Sequence, residues 1–144
     1  MSEIVYHVAS SLDGFIADID GGVDWLNEFH DPDTMEDFME FFNSFECIAL
    51  GGHTYDFALK HGQWMSPNTP SWVFTSRDLK ILHPSIQLTT KIPEAVCQEM
   101  DDKEIKRVWL MGRVANSQLL FSMPLSSILL SFPLFLSFSN KVFL

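Results

Sequence analysis

With 144 residues, 47% of them apolar, the chain has the size of one domain around one core and too little polarity for wholesale disorder. Nineteen acidic against nine basic side chains give a formal net charge of −10. That balance argues against a nucleic-acid partner, which needs a basic face, and against a polybasic membrane anchor. Cys47 and Cys97 stand far apart with no CxxC and no paired histidines, so a metal site is not expected and both read as reduced core residues of a cytoplasmic protein. The opening Met1-Ser2-Glu3-Ile4-Val5-Tyr6 lacks the basic and long apolar regions of a signal peptide.

In chain order, Glu3 to Ala9 is a short β-branched and aromatic run and predicts a strand. Ser10 to Gly14 and Asp20-Gly21-Gly22 are turn signals around the apolar island Phe15-Ile16-Ala17, which predicts a loop folding back over the strand end. A helix follows Asp31-Pro32, with Asp33 or Thr34 as cap, Met35, Phe38, Met39 and Phe42 on one apolar face, and the acidic residues facing out. Cys47 to Leu50 predicts a buried strand ended by Gly51-Gly52, then a helix from about Thr54 to Leu59. Trp72 to Thr75 and Ile86 to Thr89 predict further strands, and Pro93 to Met100 a helix with proline in its first turn. Arg107 to Met111 predicts a strand stopped by Gly112, and Val114 to Phe121 a helix. Strands alternating with helices imply an α/β domain, 1–144, with a mostly parallel central sheet flanked by helices.

The C-terminal tail is atypical. No charged residue occurs from Val114 to Asn140. Gln118 to Phe138 has the length of a bilayer span, but Pro124, Pro133 and repeated serines interrupt it. It reads as two buried strands around Met123-Pro124, as a poor membrane helix, or as an aberrant segment such as a frame change would produce. A stretch without a polar face must be buried on all sides or self-associate, so a homodimer through this region is expected, or an exposed apolar patch.

Ligands of open α/β sheets bind beyond the carboxyl ends of the strands. Three predicted strand ends carry suitable chemistry. Gly51-Gly52-His53-Thr54 joins glycines that admit a close backbone approach to a helix start that can hold phosphate. Thr75-Ser76-Arg77 supplies two hydroxyls and a guanidinium, a set suited to a phosphate monoester such as the 2′-phosphate of NADPH. Met111-Gly112-Arg113 is again strand, glycine, helix. No Lys or Arg precedes Lys60, so an anion must find its cations in the second half, and Arg77 and Arg113 both fall at such strand ends. Each short motif taken singly also fits a plain turn.

These segments resemble a known family. Ala9-Ser10-Ser11-Leu12-Asp13-Gly14-Phe15-Ile16-Ala17 is similar to the opening motif of the riboflavin-biosynthesis reductase domain, the C-terminal domain of the bifunctional deaminase-reductase, and of its stand-alone relatives. Val23-Asp24-Trp25-Leu26 resembles the continuation in the stand-alone members. Leu50 to Tyr55, Trp72 to Arg77 and Val108 to Gly112 resemble the family's glycine-threonine turn, its adenosine-phosphate strand and the strand before its second glycine turn. The resemblance covers about Ile4 to Gly112, leaving 113–144 divergent. It implies a dihydrofolate-reductase-like fold, NADPH as hydride donor, a small heterocyclic substrate of pterin, folate or ribosylaminopyrimidine type, and often a homodimer. It places Thr54, Ser76 and Arg77 at the adenosine phosphates, Ala9 and Ile16 at the nicotinamide, and Gly112 at the pyrophosphate.

The chain departs from the family where a second glycine would follow Gly112 and Arg113 stands instead, and in the charged C-terminal helix and closing strands. Met35 occupies the spacing where the folate enzymes carry an acid, so the proton donor is open. Asp13 is a candidate for positioning substrate or a water, or else an Asx turn; Asp24 reads more as loop cap and Trp25 as core plug than as substrate contacts. His53 is a candidate phosphate donor, whereas His7, His30, His61 and His83 have no ligand spacing. The alternative to a reductase is a non-catalytic nucleotide-binding or dimer-forming relative that lost activity with its tail.

Overall fold

The computed structural model describes residues 2–11, 15–29, 32–112 and 128–131. Their strands are β1 (Glu3–His7), β2 (Cys47–Gly51), β3 (Ser71–Phe74), β4 (Ile86–Thr89), β5 (Arg107–Met111) and β6 (Ile128–Ser131). The helices are α1 (Pro32–Asn43), α2 (Gly52–His61) and α3 (Pro93–Asp102), with a 3₁₀ helix at Asp24–Phe29. The six strands form one sheet in the order β4-β3-β2-β5-β1-β6, and every pairing is parallel. All six carboxyl ends therefore share one rim.

Burial on both faces is what a parallel sheet requires, and the strand sequences supply it residue by residue. Val5, Ile48, Leu50, Val73, Ile86 and Trp109 point to one face, where Phe38, Phe41 and Phe42 of α1 and Tyr55, Ala58 and Leu59 of α2 cover them. Ile4, Cys47, Ala49, Trp72, Val108 and Leu110 point to the other, against Val96 and Met100 of α3. The first face is aromatic. Trp109 meets Phe42 edge-on with ring centres 5.3 Å apart, and its indole N–H donates to the carbonyl of His7 at 3.0 Å.

Several expectations are corrected. β1 ends at His7, so Val8 and Ala9 belong to the segment beyond it. Val23 to Leu26 runs into a 3₁₀ helix rather than a plain loop. α1 begins at Pro32, which puts Asp33 and Thr34 inside its first turn and not at the cap. Phe41 replaces Met39 on the buried side of α1, and Met39 is exposed. α2 begins at Gly52, two residues before Thr54, and reaches His61. Cys47 is buried, whereas Cys97 is half-buried; both thiols are free. Burial pushes the Cys47 thiol up beyond its ordinary range; burial, then the charges of Asp101 and Glu94, push Cys97 up to about 11.

In the tail, Ile128–Ser131 is a strand beside β1, outermost among the described strands, in register Ile4 to Ile128. Four residues in the middle of the apolar stretch are thus sheet and not membrane helix, and among the described residues no helix is long and apolar enough to cross a membrane. The predicted helix at Val114 to Phe121, the turn at Met123-Pro124, Arg113 and the rest of the proposed dimer region lie outside the described residues.

Candidate functional site

The chain enters β2 and leaves it through α2 toward β3 and β4, then returns to place β5 between β2 and β1 and moves on to β6. The connections after β2 and β5 thus lead in opposite directions. Such a switch point opens a crevice at the carboxyl rim. Gly51 and Phe74 are partners across β2 and β3, and Leu50 and Met111 across β2 and β5, so the three strand ends are level there.

The turns that follow interlock. A β-carbon built on Gly52 would fall 2.8 Å from Thr75 Oγ1 and 3.0 Å from Arg77 Nη2. One built on Gly112 would fall 2.5 Å from Thr54 Oγ1 and Cγ2, and Gly112 has φ +76°, which only glycine adopts freely. The space over the two glycines is thus filled by side chains of neighbouring turns. Gly51 caps α2 in extended conformation without a side-chain bond to the helix end. The first N–H groups of α2 consequently face the rim, with the partial positive charge of a helix start.

The β3 turn is held firmly. Thr75 N–H donates to the carbonyl of Thr89 at 2.9 Å, and Thr75 Oγ1 accepts from Arg77 N–H at 3.1 Å. Tyr55, fully buried on α2, donates its hydroxyl to the carbonyl of Lys80 at 2.9 Å and accepts from Leu82 N–H at 3.0 Å. These bonds fix the segment after β3 against α2 and set Arg77 beside it. Arg77 Nη2 donates to both carboxylate oxygens of Asp56, at 3.1 and 2.9 Å. His53 Nδ1 lies 3.5 Å from Asp56 Oδ2, with its ring 85% exposed.

Of the residues singled out in the sequence, the fold brings Gly51, Gly52, Thr54, Thr75, Arg77, Met111 and Gly112 to one stretch of rim. Ser76 is exposed on the same turn, and His53 points outward from α2. Ala9 and Ile16 are half-buried on the segment leaving β1, the strand beyond β5. Asp24 is exposed and Trp25 half-buried on the 3₁₀ helix of the same segment. Asp13 and Arg113 lie outside the described residues. No group of three His, Cys, Asp or Glu suited to a metal ion occurs among the described residues.

One residue of interest, Asp56, escaped the sequence reading, and a second, His7, lacks ligand spacing there. Asp56 gave no signal because its partner Arg77 is 21 positions away. His7 ends β1 with its ring 4.2 Å from that of Phe41, its Nδ1 is buried without a hydrogen-bond partner among the described residues, and burial lowers its pKa. Its only sequence cue is a polar residue inside the apolar run from Glu3 to Ala9.

Known proteins share this architecture. A crystal structure from Shewanella sp. PV-4, assigned to riboflavin biosynthesis, superposes with a TM-score of 0.71 at 19% identity, over 93% of this chain and 78% of the other. The fold is dihydrofolate-reductase-like. A diaminohydroxyphosphoribosylaminopyrimidine deaminase/5-amino-6-(5-phosphoribosylamino)uracil reductase from Thermotoga maritima superposes at 0.63 with 15% identity, over 98% of this chain and 47% of that one. The resemblance read from the sequence motifs is thus met in the fold. In sequence, the chain is 26% identical over 113 residues to the uncharacterized Bacillus subtilis protein YwjB, covering 75% of this chain and 62% of YwjB. The chain thus spans under two thirds of the length of that curated relative. No family model matches.

Proposed function

We propose that the chain is an NADPH-dependent reductase of a small heterocycle of pterin, folate or ribosylaminopyrimidine type. The observation that carries this reading is the meeting, at the β3-β2-β5 switch point, of an α2 N-terminus without a side-chain cap, the hydroxyls of Thr54 and Thr75, and the Arg77 guanidinium. That donor set fits a dinucleotide in chemistry: helix N–H groups for the pyrophosphate, hydroxyls and a guanidinium for the adenosine phosphate. The fold shared with a deaminase/reductase supports it.

In this reading the turns that Gly51, Gly52 and Gly112 let pack closely present the α2 N–H groups to the pyrophosphate, while Thr75, Ser76 and Arg77 hold the adenosine phosphate. Ala9 and Ile16 line the nicotinamide, and Asp13 positions the substrate or a water. The cofactor supplies the hydride; the chain orients it and limits water.

NADPH oxidation, followed by loss of nicotinamide absorbance with a pterin or a ribosylaminopyrimidine as acceptor, tests the proposal. Oxidation that depends on the acceptor supports it. Binding without oxidation by any acceptor of these classes favours the non-catalytic alternative. Arg77→Ala should weaken NADPH by about tenfold or more, the value of one charge-assisted contact, and leave NADH nearly unchanged. Equal losses for both cofactors would remove Arg77 from the 2′-phosphate.

A further inference from the structure

The guanidinium expected to read a 2′-phosphate is already engaged. Both hydrogen bonds that Asp56 accepts come from a single nitrogen of Arg77, Nη2. Nη1 and Nε make no hydrogen bond to other described residues, so that edge of the guanidinium is left for an anion. Asp56 stands on the first turns of α2, whose N-terminus faces the rim, and both partners are partly exposed, at 40% and 44%. Tyr55, its neighbour in sequence, bonds to Lys80 and Leu82 and so holds the segment that carries Arg77 against the helix that carries Asp56.

We propose that Asp56 is a specificity-determining residue, which lowers the site's preference for a 2′-phosphorylated over an unphosphorylated adenosine ribose. This rests on the dinucleotide reading above. Two effects of Asp56 oppose each other. It holds Arg77 in place, which favours an anion, and it sets a negative charge beside that anion. The holding effect is small, because an exposed ion pair contributes little. The repulsion is larger, because a phosphate monoester carries nearly two charges near neutral pH and would share one guanidinium with the carboxylate. A ribose with free hydroxyls meets no such penalty, since a carboxylate accepts O–H bonds. Among the described residues the other basic group within 4 Å of Asp56 is His53, at 3.5 Å, and Lys60 follows one helical turn on along the same helix.

The test is a set of titrations of the full chain with NADPH, NADH, 2′,5′-ADP and 5′-AMP. Asp56→Asn should tighten NADPH and 2′,5′-ADP by about 3–10-fold and change NADH and 5′-AMP by less than about twofold. Asp56→Glu, which keeps the charge, should stay near the parent ratio. The gain should vanish when Asp56→Asn is combined with Arg77→Ala. Unchanged ratios, equal gains for all four ligands, a loss of NADPH affinity, or a gain that persists without Arg77 would each overturn the proposal. If the parent chain binds none of the four, the dinucleotide reading itself fails and takes this one with it. Binding by the parent with no shift in Asp56→Asn removes only the role of Asp56. Thermal melting of each variant separates misfolding from altered affinity.

Discussion

The two faces of the sheet and the carboxyl rim above them obey different rules. On the faces, one residue in two along each strand points the same way, and any apolar side chain of suitable volume serves. At the rim, what sits at each position is set by a particular partner from another turn. Gly112 is glycine because Thr54 lies over it, and Gly52 because Thr75 and Arg77 do. The faces teach how the chain holds together; the rim shows where it gives up packing freedom to place a few polar groups.

Trp109→Ala attacks a face at its aromatic centre, where the ring meets Phe38, Phe42 and Phe45 and ties to His7. Denaturant unfolding should show a loss of about 3–5 kcal/mol, the usual cost of emptying a core aromatic site. A loss under 1 kcal/mol would mean that this face collapses freely around the gap.

Gly112→Ala attacks the rim. It combines a left-handed backbone with a collision against Thr54, and should cost about 1–3 kcal/mol. Thr54→Ala in the same chain should return the collision part and leave the backbone part. Simple additivity of the two substitutions would show that the two turns do not touch in solution.

A smaller effect concerns pH, away from both regions. The Ser2 hydroxyl, at 2.8 Å, and the Ser2 amide, at 2.7 Å, both donate to Asp101 and hold its carboxyl below the ordinary value of 3.8. The folded-state pKa is thus depressed, so the stabilisation is present above about pH 4 and fades as pH falls through the folded value. Asp101→Asn should be less stable than the parent at pH 7, and the gap should close as pH falls through the depressed folded value. A gap independent of pH would place the effect in packing.

Short continuous apolar runs make β1, β2 and β5 legible, because a doubly covered parallel strand needs apolar residues on both faces and the chain has few other short runs of that kind. The glycine and hydroxyl turns were legible as types. Their interlocking was not, since it depends on which strands become neighbours, and β5 inserts between β1 and β2 only in the folded chain. The start of α2 lies two residues before the position the sequence suggests, because Gly51-Gly52 resembles a stop whereas Gly51 serves as a cap without a side chain. Met39 was misplaced because three residues from Phe42 and four from Met35 suit either edge of a helical stripe.

The position of β1 has a consequence for how the chain acquires its shape. Its neighbours are β5 and β6, and the pair Glu3 and Arg107 is separated by 104 positions. During synthesis the first strand emerges long before either partner exists, while β2, β3 and β4 can already associate side by side. Closing so long a loop delays the docking of β1 and keeps both its edges open to other chains in the interval. The molecule should therefore have high contact order, fold slowly for its size, and be most prone to aggregate on the ribosome, in the period before residues 107–111 are released.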